Sequence, residues 1–438
     1  MATTKVKQST RTLGTGEVAI GNISGSAAAS AGTYLKQDGT WATVASGIEW
    51  QAVQTTGFTA VADKGYPCNT TAAAFTVTLP SSASVGDQIS IVDYAGTFDT
   101  NGVTINPNSL NLKGSATMLL ADKERIGLLL TYVDATQGWV VTSASNEGTS
   151  ALVAAPYSAD FLVVAGGGSG GAGYQSGGSG AGGYRASYNS ETSGGGGASE
   201  SSLTFNPGIV YTVTVGAGAT AKTTDGPGND GNLSLISGSD ITTISSAAGG
   251  GGGSYHTSTA GRSGGSGGGA GRIASSNAGG TGTANQGYAG GSTGDPYSAP
   301  HGGGGGGGAS AVGGDCLGSA DGGDGGNGVV STITAASVTR GGGGGGGAYT
   351  AGVGSGGSGG GTAGVTGNVN SANATVNTGG GSGGTGELGY NSGSGGSGVV
   401  ILRMPTANYS TTTTGSPSVA TSGSDTILTF NGDGTYTG

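Results

Sequence analysis

Side chains able to do chemistry are scarce in this 438-residue chain and stand far apart. Its histidines are His256 and His301, and its cysteines are Cys68 and Cys316. The cysteines fall in regions of different composition, so their spacing gives neither a metal-ligand motif nor a disulfide framework. No serine, histidine and acid grouping suits nucleophilic catalysis. Glycine patterns of the dinucleotide-binding kind carry no information here, because no strand–helix–strand unit surrounds them. Paired carboxylates could hydrolyse a glycosidic bond, and Asp321 and Asp324 are the acids a fold would have to bring near others. The stretch Gly-Gly-Asp-Gly-Gly-Asn at 322–327 lacks the nine-residue recurrence of a calcium-binding glycine–aspartate repeat. These residues predict a protein that is not an enzyme and takes no metal or cofactor.

What does concentrate is tyrosine with polar neighbours, always interrupting glycine. The set comprises Tyr174, Tyr184 with Arg185, Tyr188, Tyr255 with His256, Tyr288, Tyr297, His301, Tyr349 and Tyr390. Tyrosine offers a large contact area at low rotamer cost, plus a hydroxyl for polar partners. Loops of this kind on a rigid scaffold make a recognition surface. The competing reading is that each tyrosine only packs on exposed glycine backbone.

The scaffold must come from the glycines, of which there are 104. They supply more than a third of residues 166–404 and form pure runs at 249–253, 302–308 and 341–347. Glycine loses more backbone entropy on ordering than any other residue. Such a segment is therefore either unfolded or held by backbone hydrogen bonds. Apolar, β-branched stretches at 161–164, 209–215, 233–236, 241–244, 329–338 and 398–402 feed the runs, which argues against a flexible linker. No strict Gly-X-Y period is present, which excludes a collagen helix. The expectation is a bundle of left-handed, three-residue-per-turn polyglycine helices bonded laterally and anchored by a short β framework. At about 3.1 Å per residue, a run of seven spans roughly 22 Å.

The rest of the chain divides by composition. Residues 1–47 read as an arm unable to bury a core alone, with Lys5, Lys7, Arg11, Tyr34 and Trp41 as candidate attachment residues. Asp38-Gly39 predicts a hairpin turn within it. Residues 48–150 alternate in short segments, such as Phe75, Val77 and Leu79, and predict an all-β sandwich or barrel. The cluster 122–125 (Asp-Lys-Glu-Arg) reads as a solvated turn. The glycine-rich body occupies 160–404, and 405–438 forms a small β segment. Almost no α-helix is expected. The net charge of −10 argues against nucleic-acid phosphates as partners. No run reaches the ~18–20 apolar residues of a membrane span, and no apolar stretch follows the basic start, so no signal peptide is expected.

The order FLVVAGGG, GGYR, YTVTVGAG, AAGGGGG, VTRGGGGGGG and GGSGVVILR resembles the glycine-rich domain of bacteriophage tail fibres and adhesins, notably those of marine cyanophages. The pieces lie at 161–168, 182–185, 211–218, 247–253, 338–347 and 395–403. LPSSASVGDQISIVD at 79–93 and GTYLKQDGTWA at 32–42 are similar to segments of the same fibres. The resemblance implies a virion component, usually a homotrimer, assembled in the host cytoplasm. Its N-terminal arm would attach to tail or adaptor proteins, and its distal loops would bind a host surface glycan or outer-membrane protein. In some such adhesins the glycine body sits as a monomer on a separate fibre, whereas here it is fused to its own shaft. The alternatives are a purely structural fibre or capsid decoration protein, and a surface-glycan depolymerase.

Overall fold

The computed structural model describes residues 33–35, 41–43, 47–144, 153–255, 260–272, 277–294, 302–316, 321–350 and 352–438. Near the N-terminus, Thr33–Leu35 and Trp41–Thr43 pair antiparallel, with Leu35 opposite Trp41, as the hairpin expectation required. The chain then forms two compact units, divided between Val153 and Ala154. Among the described residues no helix is long and apolar enough to cross a membrane.

In the first unit, six strands in succession alternate between two sheets. They are Glu49–Trp50, Phe58–Thr59, Lys64–Cys68, Phe75–Thr78, Gln88–Asp93 and Val103–Asn106. From the third onward, each pairs parallel with the strand two before it. The chain therefore winds as a flattened coil. Leu119–Ala121 then pairs antiparallel with Val103–Asn106, and Gly127–Asp134 lies between Gln88–Asp93 and Gly138–Ala144. Two sheets enclose one core, as a sandwich requires, but neither closes into a barrel. The alternating residues Val77, Leu79, Ile89, Ile91, Leu128 and Leu130 fill that core.

Asp93 is buried at the end of its strand and accepts from the N–H groups of Gly96, Thr97, Phe98 and Arg125. Burial pushes its pKa up, but the backbone donors of Arg125, Thr97, Phe98 and Gly96 outweigh burial and hold it below the ordinary value. Arg125, in the charged turn, adopts a left-handed φ of 56° to make its contact.

The second unit has a frame of two antiparallel sheets. One runs Tyr184–Ala186, Tyr157–Val164, Val399–Pro405, Asp425–Phe430, Ser418–Ser422; the other runs Ile241–Ser246, Ser234–Gly238, Val210–Thr214, Gly434–Thr437, Thr413–Thr414. Phe161, Val163, Val400 and Leu402 face one core with Phe205, Tyr211, Phe430 and Tyr436. Leu162, Val164, Val399 and Ile401 face a second core with Tyr184, Ala309 and Ile333. Burial on both faces explains the unbroken apolar runs of these strands. The small β segment at 405–438 is thus part of the frame. Its strands complete both sheets, and the Tyr436 hydroxyl hydrogen-bonds that of Tyr157 at 2.5 Å.

From this frame the glycine-rich segments run as extended backbone joined sideways. The N–H groups of Ser176, Ser179 and Gly182 donate to the carbonyls of Thr385, Ser382 and Gly379. Those of Gly177, Gly180 and Gly183 donate to Gly253, Gly250 and Ala247, and those of Gly178 and Ala181 to Gly304 and Gly307. Every third residue therefore addresses the same neighbour. The carbonyls of this segment accept in turn from 165–171, 266–269 and 344–347, so backbone encloses it on all sides. A Cβ on Gly306 would lie 1.8 Å from the Ser179 oxygen, and one on Gly344 would lie 2.0 Å from the Ser382 oxygen. Only glycine permits that approach.

Serine enters this interior where its hydroxyl replaces a backbone partner. Ser179 Oγ donates to Gly168 O at 2.7 Å and accepts from Ser382 N at 2.8 Å. On another segment, Asp321, Asp324 and Asn327 accept from the N–H groups of Gly352, Ser355 and Ser358. The three-residue period absent from the sequence as a whole is thus present locally.

Candidate functional site

The runs deliver a set of turns to the end opposite the frame. Leaving the sheet at Val164, the chain follows 165–171 outward and reverses through Gly173, at φ 126°, and Gln175, at φ 42°. Gln175 N donates to Gly386 O, and Gln175 O accepts from Arg272 N. Ser254 Oγ reaches Ala172 O at 2.8 Å, while Ala348 bridges both Gly302 and Thr366. The turns near 174, 255, 272, 349, 366 and 387 are thereby gathered by hydrogen bonds between their neighbours.

Four of the anticipated tyrosines lie on these turns. Tyr174 and Tyr255 meet edge to face, with centroids 6.1 Å apart at 89°. The Arg272 guanidinium lies 5.7 Å from the Tyr255 ring centroid, and its Nη1 donates to Gln175 Oε1 at 2.8 Å. The arrangement combines two π faces with a cation held in place. Tyr390 follows Gly389, whose N–H donates to Asp225 Oδ1 at 3.4 Å. Tyr349 is 49% exposed. Nearby, Val353, Val365, Thr366 and Val369 line a shallow cleft of about 440 Å³. The same end therefore offers aromatic, cationic and apolar surfaces.

The remaining candidates lie elsewhere. Tyr184 is fully buried in the frame's second core, so it is not available to a partner; burial raises its hydroxyl pKa above the ordinary value. The Gly-Gly-Tyr-Arg order marks the start of a strand there, not a loop. Arg185 is paired with Glu200, and Tyr188 packs under Arg403, whose guanidinium carbon is 4.6 Å from the ring centroid. Tyr288 is half-buried among the inner glycine segments. These four belong to the frame end. His256, Tyr297, His301, Lys5, Lys7 and Arg11 lie outside the described residues, and Tyr34 and Trp41 are placed only by their backbone.

Gln175, Arg272 and the valines at 353, 365 and 369 were not anticipated. Arg272 directly follows the run at 264–271, which is a usable signal; the valines are separated in sequence and converge only through the packing of the runs. Asp321 and Asp324 are committed to the backbone of 352–355. Among the described residues no group of three His, Cys, Asp or Glu side chains converges as for a metal. Cys68 is buried, and burial, followed by the nearby Asp93 charge, pushes its thiol pKa up to about 12, which suppresses the reactive thiolate.

No curated protein matches this sequence. A family model described as a glycine-rich domain matches residues 142–405, well over half of the chain. The match ends where Val399–Pro405 closes, short of the tail strands that complete both sheets. By that match, and with a body whose interior is largely glycine, the chain belongs to this glycine-rich domain family.

Proposed function

We propose that this protein is a bacteriophage tail-fibre receptor-binding protein whose glycine segments act as polyglycine II-type helices presenting a recognition surface. The observation that carries the reading is the polarity of the second unit. Its sheets close one end, and the Tyr174–Tyr255–Arg272 cluster, Tyr349 and Tyr390 are held at the other. The three-residue pattern of lateral hydrogen bonds supports the helix type. A lattice of fixed rods holds loops with little entropy left to lose, which favours binding. In this reading the N-terminal arm joins the virion, as a homotrimer with tail or adaptor proteins. The far end then meets a host surface glycan or outer-membrane protein.

The test is binding of the labelled full chain to cells of the phage's bacterial host. Saturable binding, reduced at least about tenfold when Tyr174, Tyr255 and Tyr349 are replaced by Ala together, supports the reading. Saturable binding that the triple variant retains in full would overturn the assignment to this end. Absence of binding by the wild-type chain would leave the structural fibre role as the better account.

A further inference from the structure

A second surface lies beside the frame. Between the residues at 198–200 and the turn at 284–286 opens a cleft of about 490 Å³, within the roughly 300–1,000 Å³ typical of small-ligand sites. Arg185 and Glu200 line it as a forked pair, with Nε on Oε1 at 2.8 Å and Nη2 on Oε2 at 2.5 Å. Arg185 Nη1 is fixed on Ser245 O at 3.2 Å. Gln286 is anchored by Ala247 N, which donates to its Oε1 at 2.7 Å. Gln286 also borders a second cleft of about 740 Å³, which includes Leu233, Ala247 and Ala248.

Two observations point to a ligand, and a third to its charge. The Ser199 hydroxyl is buried yet has no hydrogen-bond partner among the described residues, an arrangement that proteins rarely leave unanswered. Asn285, exposed on the lining, holds a left-handed φ of 59°, and such residues cluster at ligand sites. The lining charges also cancel within the Arg185–Glu200 pair.

That cancellation disfavours an ion, and the polar lining disfavours a lipid. Fixed guanidinium, carboxylate, hydroxyl and amide groups suit adjacent neutral hydroxyls. Leu233, Ala247 and Ala248 supply an apolar strip for the C–H face of a second ring. We propose that the paired clefts bind a neutral saccharide, with Ser199, Glu200 and Asn285 contacting its hydroxyls. The site is separate from the far-end turns, so either can fail without the other.

The experiment follows the side-chain amide resonances of Asn285 and Gln286 in the full chain. The probes are di- and trisaccharides of glucose, galactose, mannose and N-acetylglucosamine, with digalacturonate as the charged comparison. At least one neutral probe should shift both resonances. Its affinity should fall about fivefold or more in Asn285→Ala and in Ser199→Ala, the effect of one lost hydrogen bond. Val85→Ala, an exposed position that lines neither cleft, should bind as wild type. The proposal is overturned if no neutral probe acts at about 50 mM, where a millimolar site is nearly saturated. It is also overturned if digalacturonate binds more tightly, or if the folded Asn285 and Ser199 variants bind unchanged.

Discussion

Ser179 and Ser382, 203 positions apart, exchange hydrogen bonds in both directions: Ser179 N donates to Ser382 O at 3.0 Å, and Ser382 N donates to Ser179 Oγ at 2.8 Å. One buried hydroxyl thus joins segments from opposite ends of the glycine-rich body. Ser179→Ala removes the acceptor for Ser382 N and a donor to Gly168 O. A cost of about 1–3 kcal/mol is expected, read as a lower denaturation midpoint of the second unit.

Glycine at 344 is required by contact with neighbouring backbone, which cannot rotate away as a side chain could. Gly344→Ala should destabilise the second unit by about 3 kcal/mol or more, the upper range for overpacking. Gly432→Ala, where nothing lies within 4 Å of the new methyl, should stay within about 0.5 kcal/mol of wild type. Thermal unfolding of the two variants side by side checks the contrast.

Asp93 links the first unit to pH. Its folded pKa is depressed below the unfolded value, so its contribution is fully present above that unfolded value, near 3.9. The contribution is lost as pH falls through the depressed folded pKa. Asp93→Asn should cost about 1.5–3 kcal/mol at neutral pH and flatten the acid limb of the stability profile. All three tryptophans precede Val153, so indole fluorescence reports this unit alone. A wild-type acid limb in the variant would refute the assignment.

Removing residues 406–438 takes away Asp425–Phe430 and Gly434–Thr437 and uncovers the cores they close. The shortened chain should lose protease resistance throughout the second unit, although it retains the whole family-matched segment. Tyr436→Ala, in the full chain, should cost about 3–5 kcal/mol, as for large aromatic truncations in a core.

Strand positions were legible because apolar side chains declare themselves: Val77 with Leu79, and 161–164 before the glycines, fall where alternation or continuous apolarity placed them. Parallel winding in the first unit was not legible, since alternation fixes which face is buried but not which strand lies alongside. The runs were legible as glycine backbone that needs hydrogen-bonded neighbours but not in their pairing, because a residue without a side chain leaves no mark of its neighbour. Register is marked where residues such as Ser176, Ser179, Asp321, Asp324 or Asn327 interrupt the glycine at intervals of three. Tyr184 was misplaced because it sits next to glycine yet belongs to a strand. The tail's role depends on Tyr157 meeting Tyr436, 279 positions away, which no local pattern encodes.

The interior of the glycine body consists of peptide groups rather than hydrocarbon, and this bears on how heat and cold act on it. Exposing apolar surface raises the heat capacity of unfolding, whereas exposing peptide lowers it. The glycine segments should therefore add little to that quantity, and the second unit should have a smaller heat-capacity increment per residue than an ordinary domain. Its stability curve is then broad and shallow. Cooling, which weakens bodies held mainly by hydrophobic burial, should cost this one comparatively little.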